Sequence, residues 1–363
     1  MRNRYHQWMH NWETRLTTRD TNRVVRPLEW GVEWARHWPL VNGNYPKDQA
    51  DYEGFIHDLN ESALRDSDAF FAYRTPADFR LERHRVQIKA KDGIKQAKSE
   101  TADFLRFTSP VITPYPENNT ANARWFPGRG RRAVVVLPQW NSDVQGHNSL
   151  CRIFNHVGVA ALRLSMPYHD VRMPAELERA DYAVSANISR TIDAARQAVI
   201  EIRCCVDWLQ QQGYTQLGVV GTSLGSCYAF LASAHDERLR VNAFNHASTY
   251  FADVVWTGQS TRHIREGIEA EIDLGRLRRS WLAISPMSYF EKFARFPKKS
   301  LIVYATYDLT FLPEFSKQVV EGFERYGLDH RVAVLPCGHY TTGETPFKYL
   351  DAFHLARFVA GAF

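Results

Sequence analysis

"LGVVGTSLGSCYAF", residues 217 to 230, places Gly221, Ser223, Gly225 and Ser226 where an apolar, strand-like run gives way to a helical pattern. Five of these residues, Gly221-Thr222-Ser223-Leu224-Gly225, read G-x-S-x-G, directly after "LGVV" and directly before "SLGSCYAFLASAHD". A strand that turns into a helix at a single residue strains that residue's backbone and brings neighbouring segments close together. Side chains two positions to either side would obstruct the approach. Glycine at 221 and 225 removes them. The same turn holds the Ser223 hydroxyl clear of the sheet, at a helix N-terminus whose free amides favour developing negative charge. By chance alone, G-x-S-x-G would turn up about 0.05 times in a chain of this glycine and serine content. Its strand-to-helix setting is what makes it informative.

A serine hydroxyl is a weak nucleophile until a positioned base takes its proton, and the base needs a third group to orient it. Candidates for both follow in chain order, each just past a strand-like run. "SLIVYATYD" ends at Asp308 and "RVAVLPCGHY" carries His339. The interval between them holds the helical "LPEFSKQVVEGFERYG" and one further strand, whereas Glu314 and Glu344 lie farther from strand ends. The expected array is Ser223 as nucleophile, His339 as base and Asp308 as its orienting acid. Two backbone amides should hold the oxyanion. One is Leu224, next after the nucleophile. The other is expected from the loop after "AVVVLP", with Trp140 the expected donor and Gln139 its neighbour.

Outward from this centre, short apolar runs alternate with helical patterns, the signature of an α/β fold with a mostly parallel sheet between helices. The buried strands are expected at 133 to 138, 159 to 164, 217 to 221, 241 to 246, 300 to 305 and 331 to 336. Two alternating stretches, "DFRLERHRVQI" and "FLRFTSPVITPY", precede them, as does a turn with a returning strand in "ENNTANARWFPG". The longest helix should end at Gly213, and an amphipathic helix, "PFKYLDAFHLARFVAGAF", closes the chain. Residues 247 to 299 hold several helical pieces between two strands, too many for one crossover, and read as an inserted helical lid.

Residues 1 to 100 read as an N-terminal helical extension packed on a main domain of 101 to 363. There Trp8 and Trp12, and Trp30, Trp34 and Trp38, recur every four residues and so should share helical faces. Two readings stand for these stripes: a cap packed on the main domain, or an aromatic and basic face in peripheral contact with lipid.

Composition bounds the rest. With 363 residues, 44% hydrophobic and 23% charged, the chain can bury a large core. A net charge of +5, with basic residues spread among acidic ones, carries no nucleic-acid footprint. The five cysteines are odd in number and lack the spaced pairs that bind zinc, which points to a reducing compartment, a cytoplasmic location and no metal. No apolar stretch reaches the roughly 20 residues of a membrane span, and the first thirty residues lack the apolar core of a signal peptide. Oligomeric state stays open.

Residues 101 to 363 resemble the α/β-hydrolase superfamily, with Ser223, Asp308 and His339 standing where its triad stands. "LSMPYHDVRMP", "WLQQQGYTQLGVVGTSLGS" and "NHASTYFADVVWTG" are similar to the branch related to α/β-hydrolase-domain-containing proteins of group eighteen. The resemblance implies a serine hydrolase of the esterase, lipase or deacylase kind, acting on a small-molecule or lipid-like ester with no organic cofactor. An acyltransferase or peptidase on the same triad, and a non-catalytic binding protein on the same fold, are the alternatives. Arg262, His263, Arg265, Arg276, Arg278 and Arg279 of the insert suit either an anionic head group or an ordinary solvated face. His169 and Arg172 either line the same cavity or lie at the surface.

Overall fold

Each apolar run bounded by turn residues becomes a strand, and neighbouring strands bury the faces that no single strand could cover. In the computed structural model, which describes residues 2–41, 43, 45–88 and 98–363, these are β1 (Arg80–Ile88), β2 (Lys98–Thr108), β3 (Thr120–Phe126), β4 (Arg132–Leu137), β5 (Ala160–Leu164), β6 (Gln216–Thr222), β7 (Leu239–Asn245), β8 (Lys299–Ala305) and β9 (Asp329–Leu335). They form one sheet in the order β1-β2-β3-β5-β4-β6-β7-β8-β9. The first three strands are antiparallel and the rest run parallel from β5 to β9. The six runs expected from the sequence are the six parallel strands, which is the α/β architecture that the alternation implied.

The helices are α1 (Arg2–Thr17), α2 (Tyr52–Arg65), α3 (Ser67–Phe70), α4 (Asn148–His156), α5 (Ile188–Gln211), α6 (Leu224–Ala234), α7 (Phe251–Thr257), α8 (Arg262–Ile268), α9 (Leu274–Ser280), α10 (Phe290–Phe293), α11 (Pro313–Arg325) and α12 (Phe347–Ala362). Strand alternation sorts the core into two layers. Val135, Leu137 and Val219 face α5, α6 and α11, while Val134, Val136, Val220 and Ala243 face α4 and α12. α5 starts where the Asn187 side chain accepts the Arg190 amide at 3.0 Å. It ends just before Gly213, whose φ of +87° suits glycine. No helix among the described residues is long and apolar enough to cross a membrane.

Two expectations for the N-terminal part need correction. The boundary at 100/101 falls inside β2, because the alternating stretch Arg80–Ile88 pairs along its whole length with β2 and joins the sheet. Residues 89–97 of the expected extension lie outside the described residues. Trp30, Trp34 and Trp38 do not share an α-helical face, since Gly31, at φ +59°, breaks the chain before a six-residue 3₁₀ helix, Val32–His37. Trp38 is buried and donates its indole N–H to Asp193 at 2.8 Å. On α1 the buried stripe is Met9, Glu13 and Thr17, and Trp8 is 51% exposed.

The insert forms α7 to α10 with short 3₁₀ turns. Its anchor is Trp281, fully buried, whose indole donates to the Ile188 carbonyl at 3.2 Å. Truncating an aromatic so placed costs about 3–5 kcal/mol.

Candidate active site

β6 ends at Thr222 and α6 begins at Leu224, so Ser223 alone makes the turn, at φ 57° and ψ −121°. A β-carbon on Gly221 would lie 2.5 Å from the Gly225 carbonyl carbon, and one on Gly225 would lie 2.6 Å from the Pro138 oxygen. Only glycine fits at either place. The strained residue is pinned from several sides. Its amide donates to the Asn245 carbonyl at 2.7 Å, and the Ser226 hydroxyl reaches the carbonyls of Ser223 (2.7 Å) and His246 (2.9 Å). The end of β6 is thereby tied to the end of β7.

The structure brings the three expected side chains together. Ser223 Oγ lies 2.9 Å from His339 Nε2, and His339 Nδ1 lies 2.8 Å from Asp308 Oδ2. Because an ionised carboxylate can only accept, the Nδ1 proton points at Asp308 and leaves Nε2 with the lone pair that receives the serine proton. Asp308 Oδ1 accepts the amides of Thr310 (2.8 Å) and Phe311 (2.7 Å), and the Phe311 ring stacks on the imidazole with centroids 5.2 Å apart.

The sequence analysis missed His246. It follows β7 at φ 57°, is 1% exposed, and donates its own Nδ1–H to Asp308 Oδ2 at 2.9 Å. Two imidazoles, with centroids 4.4 Å apart, therefore share one carboxylate oxygen. Burial opposes the charge of Asp308, yet the His339 imidazole and the two imidazole hydrogen bonds outweigh it and hold the carboxyl well below the usual range. Burial likewise opposes a charged His339, but the Asp308 charge and hydrogen bond, with help from Glu13, raise it above an ordinary histidine. His246 moves the other way, lowered by burial and by the nearness of His339. Among the described residues, His246, Asp308 and His339 are a group whose ligand atoms lie within 4.8 Å of one another. Both Nδ1 atoms already carry protons directed at the carboxylate, so the set is hydrogen-bonded to itself and does not suit a metal ion.

The loop after β4 lies beside the nucleophile, with the Leu137 and Pro138 carbonyls against Gly225. Trp140 is fixed there. Its indole donates to the Ala180 carbonyl at 2.9 Å and its ring stacks on His263 at 6.0 Å. Leu224 opens α6, and Gln139, Trp140 and Leu224 all face the same cavity as Ser223. His169 is buried behind this loop and accepts the Asn141 amide at 3.0 Å. Arg172 is locked into a fully buried pair with Glu201. Neither lines the cavity nor lies at the surface, which corrects both readings offered for them.

That cavity encloses about 470 Å³. One wall is apolar, built from Val184, Phe251, Val254, Val255 and Phe311, three of them on α7 of the insert. The lining also has polar side chains, among them Thr222, Asn245, Lys348 and Asp351. Four of the insert's arginines are paired with carboxylates: Arg262 with Glu266, Arg265 with Glu269, Arg276 with Glu53 and Arg278 with Asp253. They bind their own carboxylates, the ordinary reading of such a face.

Residues 77–261 match the family described as alpha/beta hydrolase domain containing 18, which is 185 of the 363 residues. The chain belongs to this family. The matched region contains Ser223 and ends before Asp308 and His339. No curated protein matches the chain. Solved structures do, at low identity. An acetyl xylan esterase from Paenibacillus sp. R4 superposes with a TM-score of 0.55 at 11% identity, over 88% of this chain and 97% of that one. Acetyl xylan esterase 1 from Thermoanaerobacterium sp. JW/SL YS485 gives 0.54 at 13%, over 92% and 98%. The Pyrococcus horikoshii acylaminoacyl peptidase gives 0.54 at 9% over 78% of this chain, which spans only 42% of that peptidase. At such identities the likeness is one of fold: the α/β-hydrolase fold.

Proposed function

We propose that the protein hydrolyses carboxylic esters through an acyl-enzyme formed on Ser223. His339 Nε2 takes the hydroxyl proton as Ser223 Oγ attacks the ester carbonyl, and the amides of Leu224 and Trp140 stabilise the oxyanion that forms. The imidazolium, held by Asp308, then protonates the leaving alcohol as the ester C–O bond breaks. A water molecule, deprotonated by the same nitrogen, releases the acid and restores the serine.

The observation that carries this reading is the unbroken chain Ser223 Oγ to His339 Nε2 at 2.9 Å and His339 Nδ1 to Asp308 Oδ2 at 2.8 Å, opening on a cavity with one apolar wall. The apolar side chains of the lining suit an acyl chain and the polar ones an alcohol or water. Turnover of p-nitrophenyl esters of graded chain length, by the native protein and by S223A, tests it. Hydrolysis that depends on Ser223 supports the reading, and S223A with native activity overturns it. Faster turnover of amides, or acyl transfer to an added alcohol in preference to water, would reassign the reaction to a peptidase or acyltransferase using the same residues.

A further inference from the structure

His339 sits on a loop, and a loop must be held if its imidazole is to stay 2.9 Å from a serine on another strand. What holds it lies 327 residues earlier in the chain. Glu13, on α1, has no exposed surface. Its Oε1 accepts the Tyr340 amide at 2.8 Å, and its Oε2 accepts the Thr341 amide at 2.9 Å and the Thr341 hydroxyl at 3.0 Å. On the near side of His339, Gly338 has no room for a β-carbon, which would overlap the Glu13 carboxyl group. One side chain thus hydrogen-bonds the two residues after the histidine and lies against the glycine before it.

Its surroundings are unusual for a buried acid. Among the described residues no lysine or arginine pairs with Glu13, and its hydrogen-bond donors are two backbone amides and a hydroxyl. Burying a carboxylate without a cation is costly, and burial does raise this one above the usual range. The groups around it are Cys337, whose thiol burial keeps neutral, then Tyr340, Asp308 and His339. His339 is in turn faced by Asp308 after β8, His246 after β7 and Glu13 on α1. The one cation this cluster can generate is the imidazolium formed during turnover. α1 is itself fixed at its far end, where the Thr17 hydroxyl lies 2.6 Å from Gln259 Oε1 of the insert and Arg23 donates to the Thr17 carbonyl. Leu16 in its last turn, and Arg19 and Asp20 just beyond it, line the cavity.

We propose that Glu13 is a positioning residue of the active site: it clamps the 338–341 loop so that His339 Nε2 meets Ser223, and sets a second negative charge beside the imidazolium. This makes α1 part of the catalytic apparatus. The inference rests on the serine-hydrolase reading above.

The test uses full-length E13Q, E13D and G338A, with kcat, KM and melting temperature for a p-nitrophenyl ester from about pH 5 to 9. Glutamine keeps the shape but carries no charge and turns an N–H toward a backbone N–H. E13Q should lower kcat by about tenfold or more with KM within about twofold. The acid limb of kcat/KM should move to lower pH, because removing a negative charge disfavours the imidazolium. E13D should return part of the limb. G338A, which forces the carboxylate away from the other side, should lower kcat and shift the limb as E13Q does. If E13Q does not fold, E13D and G338A carry the test. A plateau within twofold of native and an unmoved limb in the folded variants would overturn the proposal. So would losses that follow melting temperature alone. S223A in parallel separates the two readings: inactive S223A beside native-like E13Q sinks the role of Glu13 only, whereas active S223A sinks the serine mechanism itself.

Discussion

Replacing Asp308 with asparagine changes one atom at the point where four hydrogen bonds converge. The carboxylate accepts His246 Nδ1–H and His339 Nδ1–H on one oxygen and the amides of Thr310 and Phe311 on the other. Asparagine offers one oxygen and one N–H₂ in their place. If its oxygen keeps the two amides, its N–H₂ confronts both imidazoles and drives His339 into the Nε2–H tautomer, which cannot accept the serine proton. Charge is lost as well. Two unit charges about 4 Å apart at an effective dielectric of 20 interact by about 4 kcal/mol, or about 3 units of histidine pKa. Tautomer and charge together should lower kcat by about 10⁴-fold, on the order of 5 kcal/mol of transition-state stabilisation. The assay is ester hydrolysis with fluorophosphonate labelling, on protein whose melting temperature is followed across pH. Asp308 titrates below its unfolded value, so it contributes stability above about pH 4 that is lost as pH falls. D308N should flatten that acid limb. Folded D308N retaining more than a tenth of native kcat/KM would refute the reasoning.

Other residues give sharp outcomes. H246N keeps an N–H where Nδ1 stands and tolerates φ 57°, so kcat/KM should stay within about threefold of native, whereas H246L removes one of four donors to Asp308 and should cost about tenfold; equal effects in the two variants would contradict the shared-carboxylate account. Burial raises Asp351 to about 7, against a hydrogen bond from Asn245, so this group's own contribution to stability should fall along a slope from about pH 4 through 7. D351N should remove that slope and be more stable at about pH 8 by on the order of 2 kcal/mol, read from melting curves at the two ends of the range. In G221A the new methyl group meets the backbone of Gly225 and Ser226, so the protein should lose about 3 kcal/mol and its labelling by fluorophosphonate; an unchanged melting temperature would contradict the close approach.

The parallel strands were legible because each is a short apolar run, with both faces buried in all but the edge strand β9, and the runs at 133 to 138 and 217 to 221 match β4 and β6 to within a residue at either end. The serine, acid and histidine positions were legible for a related reason, since each follows such a run in an order that the elbow motif anticipates. His246 stands in the same kind of place, at the end of "VNAFNH", and that position was the signal available for it. Glu13 offered none. Its partners are backbone amides on a loop 327 residues away, and no local pattern marks a carboxylate that caps a distant turn. The tryptophan stripes misled because a four-residue spacing reports a helical face only where the chain is helical, and Gly31 interrupts it. On α1 the stripe is real but splits, with Trp8 exposed and Trp12 packed against Phe347, and the buried face is the one carrying Glu13.

The central claim is that the Ser223 hydroxyl is the nucleophile, activated by His339. Peptide mass spectrometry after treatment with a fluorophosphonate tests it most directly. The account predicts one adduct, on the peptide carrying Ser223, whose rate of formation falls when His339 is replaced by alanine. A native protein that takes no label, or takes it on another residue, would contradict it.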